Sequence, residues 1–270
     1  MIRLSLDHLT AVDSTPIELI DLAAQNGCDG VCMFLQPMSV LPHMPHFDIL
    51  GDQSYRRQVR NSLLEFGISL DLVYPFTIST HTSIQDFDKA LDVAAYLGAR
   101  FVNVLIYDRD AIRRSARFGA FCERAAEFGL GVVVEFYPIS KVQTLGDALT
   151  LVSEVNRPGS VGLNVDVLHL MRSGGGPEDL YDIPSEFLLF AQLCDGPLSC
   201  TADEIEHEAS SCRLLPGCGA FDLPGFVARL PDHCLLSVEI PRCPELEAEI
   251  PASQRVATAI AAVRSALPLK

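Results

Sequence analysis

The stretch "RFVNVLIYDRDAIRRSARFGAFCERAAEFGLGVVVEFYP", residues 100–138, decides the fold. Residues 100–108 form a short apolar run rich in β-branched and aromatic side chains, which suits a strand. Over 111–129 the period changes: apolar side chains recur at helical spacing, and the segment closes on Gly129, a residue type that stops helices. Residues 131–138 return to an unbroken Val run that ends in Glu135. Strand, helix, strand with near-continuous apolar strands predicts parallel strands joined by a crossover helix.

The same unit repeats in both directions. Upstream, 2–7, 30–35 and 68–75 read as strands, and 16–27, 54–67 and 83–98 read as helices, the last with Ser83 as N-cap and Gly98 as stop. Downstream, 144–156 is helical, 161–170 contains a sixth strand and 177–185 is a short helix. A seventh strand follows at 187–195, a short helix at 221–231, an eighth strand at 234–241 and a closing helix at 252–267. Eight strand–helix units in 270 residues predict a single (β/α)8 TIM barrel over residues 1–270. The rival is an open doubly wound sheet, but no Gly-x-Gly-x-x-Gly phosphate loop follows the first strand. The one long connection is 196–220, and long βα connections carry function or close over a site.

Composition narrows the class. With 49% hydrophobic and 20% charged residues the chain can bury a large core. A formal net charge of −15 argues against a nucleic-acid partner, whose phosphates attract basic surfaces. The uncharged apolar runs fall well short of the roughly 18 residues a membrane span needs. The start "MIRLSLDHLT" lacks a signal-peptide layout because Asp7 and His8 interrupt it. The expectation is a cytoplasmic protein with no membrane partner. The nine cysteines include no Cys-x-x-Cys pair, so they read as reduced, mostly core residues and not as a zinc knuckle.

In such a barrel the reactive side chains stand at the C-terminal ends of the strands. Strand five ends in Glu135, strand six in Asp166, strand seven carries Gln192 and then Asp195, and strand eight ends in Glu239. Each alone also suits a helix cap or an Arg partner. Together, on four consecutive strands, they point to one site. Three carboxylates crowded into a partly dry pocket repel one another unless a cation joins them. Three carboxylates and an amide carbonyl are hard oxygen donors suited to Mn2+ or Mg2+ ahead of Zn2+ or Co2+. His169, three residues after Asp166, and Arg213, in the long connection, are placed to contact a substrate. His8 at the end of strand one either lines the floor or packs, and Asn103 inside strand four needs a buried polar partner. Asp195, just before Gly196-Pro197, either orients a ligand from behind or turns the chain. His43, His46 and His81 lie in early loops with nothing to fix a role.

These motifs resemble the sugar isomerase/epimerase family with a xylose-isomerase-like barrel, which includes hydroxypyruvate isomerases, ketose 3-epimerases, inosose dehydratases and 3-dehydroshikimate dehydratases. The resemblance covers the whole chain and is strongest from about residue 129 onward. "VNVL" (102–105) is similar to the family's fourth strand, "VVVEFYP" to its Glu-bearing fifth, and "GLNVDVLHLMRSGG" to its Asp-x-x-His segment. "FAQLCDGP" resembles the Gln-x-x-Asp strand of hydroxypyruvate isomerases. "RLLPGCGAFDLPGFV" resembles the Arg…Pro-Gly-x-Gly segment that follows, and "LSVEIP" the final Glu strand. There are departures: many members have His where Gln192 stands, the connection to Arg213 is longer, and Glu is frequent where Cys218 or Ala220 stands. The AP endonuclease IV relatives carry a trinuclear zinc site with more His ligands and a basic face, and neither is present.

The resemblance implies one divalent-metal site made by Glu135, Asp166, Gln192 and Glu239. It also implies that Glu135 and Glu239 act as acid/base groups on either side of the substrate, with His169 and Arg213 on its oxygens. The expected activity is isomerisation or epimerisation of a ketose or keto-polyol through an enediolate. The alternative is a dehydratase or other lyase on a keto-polyol or cyclic keto acid, since loss of a β-hydroxyl from the same enediolate removes water. A sugar-binding barrel without chemistry ranks last, because all four ligand positions hold competent residues. No phosphate-gripping loop stands out, so the small-molecule substrate is expected to be unphosphorylated. Homo-oligomerisation stays open.

Overall fold

Val132, Val133 and Val134 are fully buried because both faces of their strand are covered, one by the barrel interior and one by helices. The computed structural model describes residues 3–267. The strands are β1 (Leu4–Asp7), β2 (Gly30–Phe34), β3 (Ser69–Ile78), β4 (Phe101–Ile106), β5 (Gly131–Glu135), β6 (Val161–Asp166), β7 (Leu188–Leu193) and β8 (Leu235–Val238). They pair in parallel in sequence order, and β1 meets β8 through Leu4↔Leu236 and Leu6↔Val238 to close the barrel. Ile2, the first residue of the expected strand one, lies outside the described residues.

The larger helices are α1 (Pro16–Gln25), α2 (Gln53–Phe66), α3 (Asp88–Leu97), α4 (Ala111–Glu127) and α5 (Leu145–Val155). After β6 come α6 (Val167–Arg172), α7 (Ile205–Ser211), α8 (Leu223–Ala228), α9 (Cys243–Glu247) and α10 (Ala252–Ala266). Their starts follow from side-chain oxygens that satisfy the orphan amides of a first turn. Thr15 and Glu18 form a capping box around Pro16, Asp52 caps α2 and Asp110 caps α4. Thr144 and Asp147 form a second box at α5. Gly98 ends α3 at φ 80°, in the left-handed region open to glycine at no steric cost. The expected N-cap at Ser83 is corrected. Ser83 makes no capping bond, its hydroxyl donates to Gln85 Oε1, and a 3-10 turn at Ile84–Phe87 precedes α3.

Three differences from the sequence reading bear on the site. The segment 177–185 is not an α-helix: residues Pro177–Asp182 form a 3-10 turn, and the helix after β6 is the short α6. Residues Cys243–Glu247 add a helix with no sequence forecast. The connection 196–220 is folded, with α7 inside it and bridges Asp195↔Leu214 and Cys212↔Arg242 at its end. The nine cysteines are all free, but only Cys28, Cys32, Cys122 and Cys194 are buried. No described helix is long and apolar enough to cross a membrane.

Candidate functional site

Register brings the polar strand ends together. Glu135 pairs with Asn164, and Asp166 pairs with Gln192, which pairs with Ser237 two residues before Glu239. Alternation along each strand then points these side chains to one interior layer. All are buried, and Asn103, Glu135, His169, Gln192, Arg213 and Glu239 line one cavity of about 290 Å3.

Asp166 ends β6 and starts α6. Its Oδ1 accepts from the amides of Leu168 (2.7 Å) and His169 (3.4 Å), which turns the chain and brings His169 back over the strand end. His169 Nε2 then lies 3.2 Å from Glu135 Oε1 and 3.7 Å from Asp166 Oδ2. Its other ring nitrogen is buried without a partner among the described residues, and Tyr137 packs on the ring at 4.6 Å between centroids. Ligand atoms of Glu135, Asp166 and His169 all fall within 4.8 Å of one another. Two carboxylates and an imidazole converging at that spacing fit a divalent cation.

Arg213 sits behind this group, 2% exposed. Its Nη1 donates to Asp166 Oδ2 at 2.6 Å, Nη2 lies 2.7 Å from Glu239 Oε1, and Nε donates to Ala209 O at 2.9 Å. Burial acts to raise the Asp166 carboxyl, but Arg213 and His169 outweigh it and hold the group below the usual carboxylate range. Glu239 goes the other way. Burial, with Asp7, Asp166 and Glu135 nearby, pushes it well above the usual range despite Arg213.

Gln192 lines the same cavity. Its Nε2 donates to Glu239 Oε2, and its Oε1 accepts from Asn164 Nδ2 at 2.6 Å. His169, expected only as a substrate contact, joins Glu135 and Asp166 in the converging group. Asn103 finds its partner in Glu135 Oε2.

Two alternatives left open by the sequence fall to the packing reading. His8 packs: it is fully buried outside the cavity lining, with Nε2 2.9 Å from Ser14 O and Nδ1 accepting from the Phe34 amide. Its ring lies against Phe34 and Phe47, and burial lowers its pKa to about 4. Asp195 turns the chain and reaches no ligand. Its carboxylate accepts from the amides of Gly196, Gly217, Gly219 and Phe221 at 2.8–3.1 Å, which gathers both ends of the connection. Asp195→Ala is therefore expected to lower the melting temperature by several degrees, since each lost charge-assisted bond is worth about 1.5–3 kcal/mol before relaxation. Mn2+ affinity should stay within about threefold. A tenfold loss of Mn2+ binding with an unchanged Tm would reverse the assignment. His43, His46 and His81 are exposed and outside the cavity lining.

The connection reaches the site through a second anchor. Arg172 of α6 holds Glu208 of α7 bidentately at 2.6 Å and 2.6 Å, and donates to Pro197 O at 2.8 Å. This clamp lays Ala209, Ser210 and Arg213 over the cavity.

Sequence reasoning missed Asp7, Tyr74, Tyr107, Tyr137 and Asn164. Asp7 closes β1 as Glu135 closes β5, so the signal was the one used for the late strands. Its Oδ1 accepts from the Leu9 amide at 2.9 Å and its Oδ2 accepts the hydroxyl of Tyr74, which lines the cavity. Burial pushes the Asp7 carboxyl up to about 7, against the pull of Tyr74, Leu9 and Arg213. An acid raised above its unfolded value stabilises the fold below the unfolded pKa and loses that contribution as pH rises to the folded one. Asp7→Asn removes the loss. In chelator, the Tm of Asp7→Asn relative to the parent should therefore rise between pH 4.5 and pH 8, and a flat difference would exclude burial as the cause.

The sequence profile of the xylose isomerase-like TIM barrel family matches residues 20–265. The chain belongs to the xylose isomerase-like TIM barrel family. Among curated relatives of this barrel, a 3-dehydroshikimate dehydratase of Pseudomonas aeruginosa is 27% identical over 231 residues. The match takes in 81% of this chain and 34% of that protein, so the chain spans about a third of its relative's length. Among solved structures, a xylose isomerase-like TIM barrel/4-hydroxyphenylpyruvate dioxygenase fusion protein superposes with a TM-score of 0.80 at 22% identity, over 97% of this chain and 42% of that one. An IOLI protein with a bound zinc atom gives 0.76 at 21% identity, over 98% of each chain. These structures share the xylose isomerase-like barrel itself.

Proposed function

We propose that this chain is a divalent-metal-dependent lyase that removes water from a cyclic keto-polyol. The observation that carries the reading is how the cavity divides its chemistry. Its lining sets Asn103, Glu135, Gln192 and Glu239 beside the large side chains of Phe34, Tyr74, Leu105, Tyr107 and Tyr137. A linear ketose and a keto-polyol ring both carry an oxygen on nearly every carbon, but the ring holds its oxygens at its rim and offers flat faces of C–H. Such a ring can lay one face on the aromatic side chains and turn its ketone towards the polar ones. The dehydratase name of the Pseudomonas aeruginosa relative supports the same reaction class.

Glu135, Asp166 and His169 would hold the ion, with Gln192 and Glu239 beside them. When bound, it would polarise the ketone and acidify the adjacent C–H. Glu239 takes that proton, because its burial makes it a strong base once ionised. Electrons from the broken C–H form the enolate, then re-form the ketone as the β C–O bond breaks. Glu135, with His169 at 3.2 Å, supplies the proton with which the hydroxyl leaves as water. Arg213 keeps Asp166 ionised and is engaged on three sides. Among the described residues it is the one Lys or Arg side chain lining the cavity, so an uncharged ring fits better than a carboxylated one.

A second reading has its own observation. Glu135 and Glu239 enter from β5 and β8, different sides of the cavity, as proton exchange on two faces of an isomerase or epimerase requires. Both reactions share the first proton removal. A panel of an inosose, 3-dehydroshikimate and a ketohexose, followed by NMR in D2O with Mn2+, separates them. A new unsaturated product from a ring substrate supports dehydration. Deuterium uptake with changed stereochemistry and no water loss overturns it in favour of isomerisation.

A further inference from the structure

A chain of three buried amides runs beneath the cavity and joins its two acid/base groups. Asn103 Nδ2 donates to Glu135 Oε2, and Gln192 Nε2 donates to Glu239 Oε2. Between them, Asn164 Nδ2 donates to both Asn103 Oδ1 (3.2 Å) and Gln192 Oε1 (2.6 Å). Asn164 is fully buried, does not line the cavity, and its Oδ1 has no partner among the described residues. A buried carbonyl left without a donor is destabilising, so this arrangement leaves one favourable alternative unused.

We propose that Asn164 is a positioning residue that decides which end of the Gln192 amide faces the cation site. The inference rests on the divalent-cation reading above. A primary amide has a donor end and an acceptor end. While Asn164 offers N–H, Gln192 must turn its oxygen down and its N–H up, and an N–H cannot ligate a cation. If Asn164 turns its side chain over, its unpartnered Oδ1 can accept from Gln192 Nε2, and the Gln192 oxygen then faces the site. The same turn sets Asn164 Oδ1 against Asn103 Oδ1, so Asn103 turns over with it, donates to that oxygen and gives up its bond to Glu135 Oε2. Asn164 thus couples the amides beside Glu135 and Glu239, and the unpartnered oxygen is the mark of the second state.

The test is a double-mutant cycle read as Mn2+ affinity by calorimetry on the full chain stripped with chelator. A Ser at 164 is too short to reach both amides, so Asn164→Ser should weaken Mn2+ binding about 10- to 100-fold, the usual effect of losing a residue that orients a ligand. Gln192→Glu supplies an oxygen whichever way it turns. In that background Asn164→Ser should change affinity less than about twofold, a cancellation that a merely structural role would not give. Equal losses in both backgrounds, or Asn164→Ser within twofold of the parent, overturns the proposal. Asn164→Ala enters the same cycle with the same criteria if the Ser variant does not fold. A parent chain that takes up no Mn2+, Mg2+ or Zn2+ is a distinct result: it overturns the cation reading and this inference with it.

Discussion

Glu239→Gln should lower the rate of substrate C–H exchange in D2O by roughly 100- to 10,000-fold, the range a positioned acid/base group supplies. The substitution keeps the shape and one oxygen but removes the basic site. Burial pushes the Glu239 carboxyl well above the range of a surface carboxylate, so its ionised form is a stronger base than a surface Glu. Its oxygens are also held, one by Arg213 and one by Gln192, which fixes the direction of proton transfer. The measurement needs Mn2+ occupancy determined on the same sample. A variant that binds Mn2+ and exchanges at the parent rate would remove Glu239 from the proton step and leave Glu135 as the base.

Arg213→Met should have the largest effect on stability. The side chain lies among Asp166 and Glu239, and removing the cation leaves buried carboxylates facing one another. Breaking one partner of a buried pair costs about 3–5 kcal/mol, which for a chain of this length is a fall of roughly 10 °C in Tm. The sign of the pH dependence follows from Asp166. In the parent its carboxyl is held low by Arg213 and His169, so it contributes stability above the unfolded pKa. Without Arg213 burial dominates and the carboxyl moves up, so the stability it contributes is lost as pH rises. The gap between parent and variant in chelator should therefore widen from pH 4 to pH 7. Added Mn2+ should recover more Tm in the variant than in the parent, because the ion supplies the missing positive charge. An equal gain in both would mean that Arg213 and the ion do not share the same carboxylates.

How much of this was legible without coordinates depends on the kind of signal. Alternation of strand and helix is written locally, in period and in caps such as Thr15/Glu18 and Thr144/Asp147, and eight repeats leave few topologies open. The dehydratase reading stood second to isomerisation on sequence alone, and the proposal that puts it first draws on the side chains that line the cavity. Phe34, Tyr74, Leu105, Tyr107 and Tyr137 belong to separate segments and share no motif. Asp7 carried the strand-end signal yet was passed over for its neighbour His8. Asp7 reaches the cavity only through Tyr74, a contact between strands that no pattern within β1 records.

The sequence by itself determined the barrel, the site at its C-terminal end, and Glu135, Asp166, Gln192 and Glu239 as its polar strand ends. These rest on periodicity and on polar residues placed at the ends of apolar runs. Only the tertiary structure decided what each of them touches. His169 moves in beside Glu135 because Asp166 caps α6 and folds it back. Arg213 reaches Asp166 and Glu239 because Asp195 and the Arg172–Glu208 clamp fold a long connection inward. Gln192 meets Asn164 across a strand pair 28 residues apart in sequence. Contacts between side chains on different strands depend on register and closure, and a pattern local to each strand does not encode them.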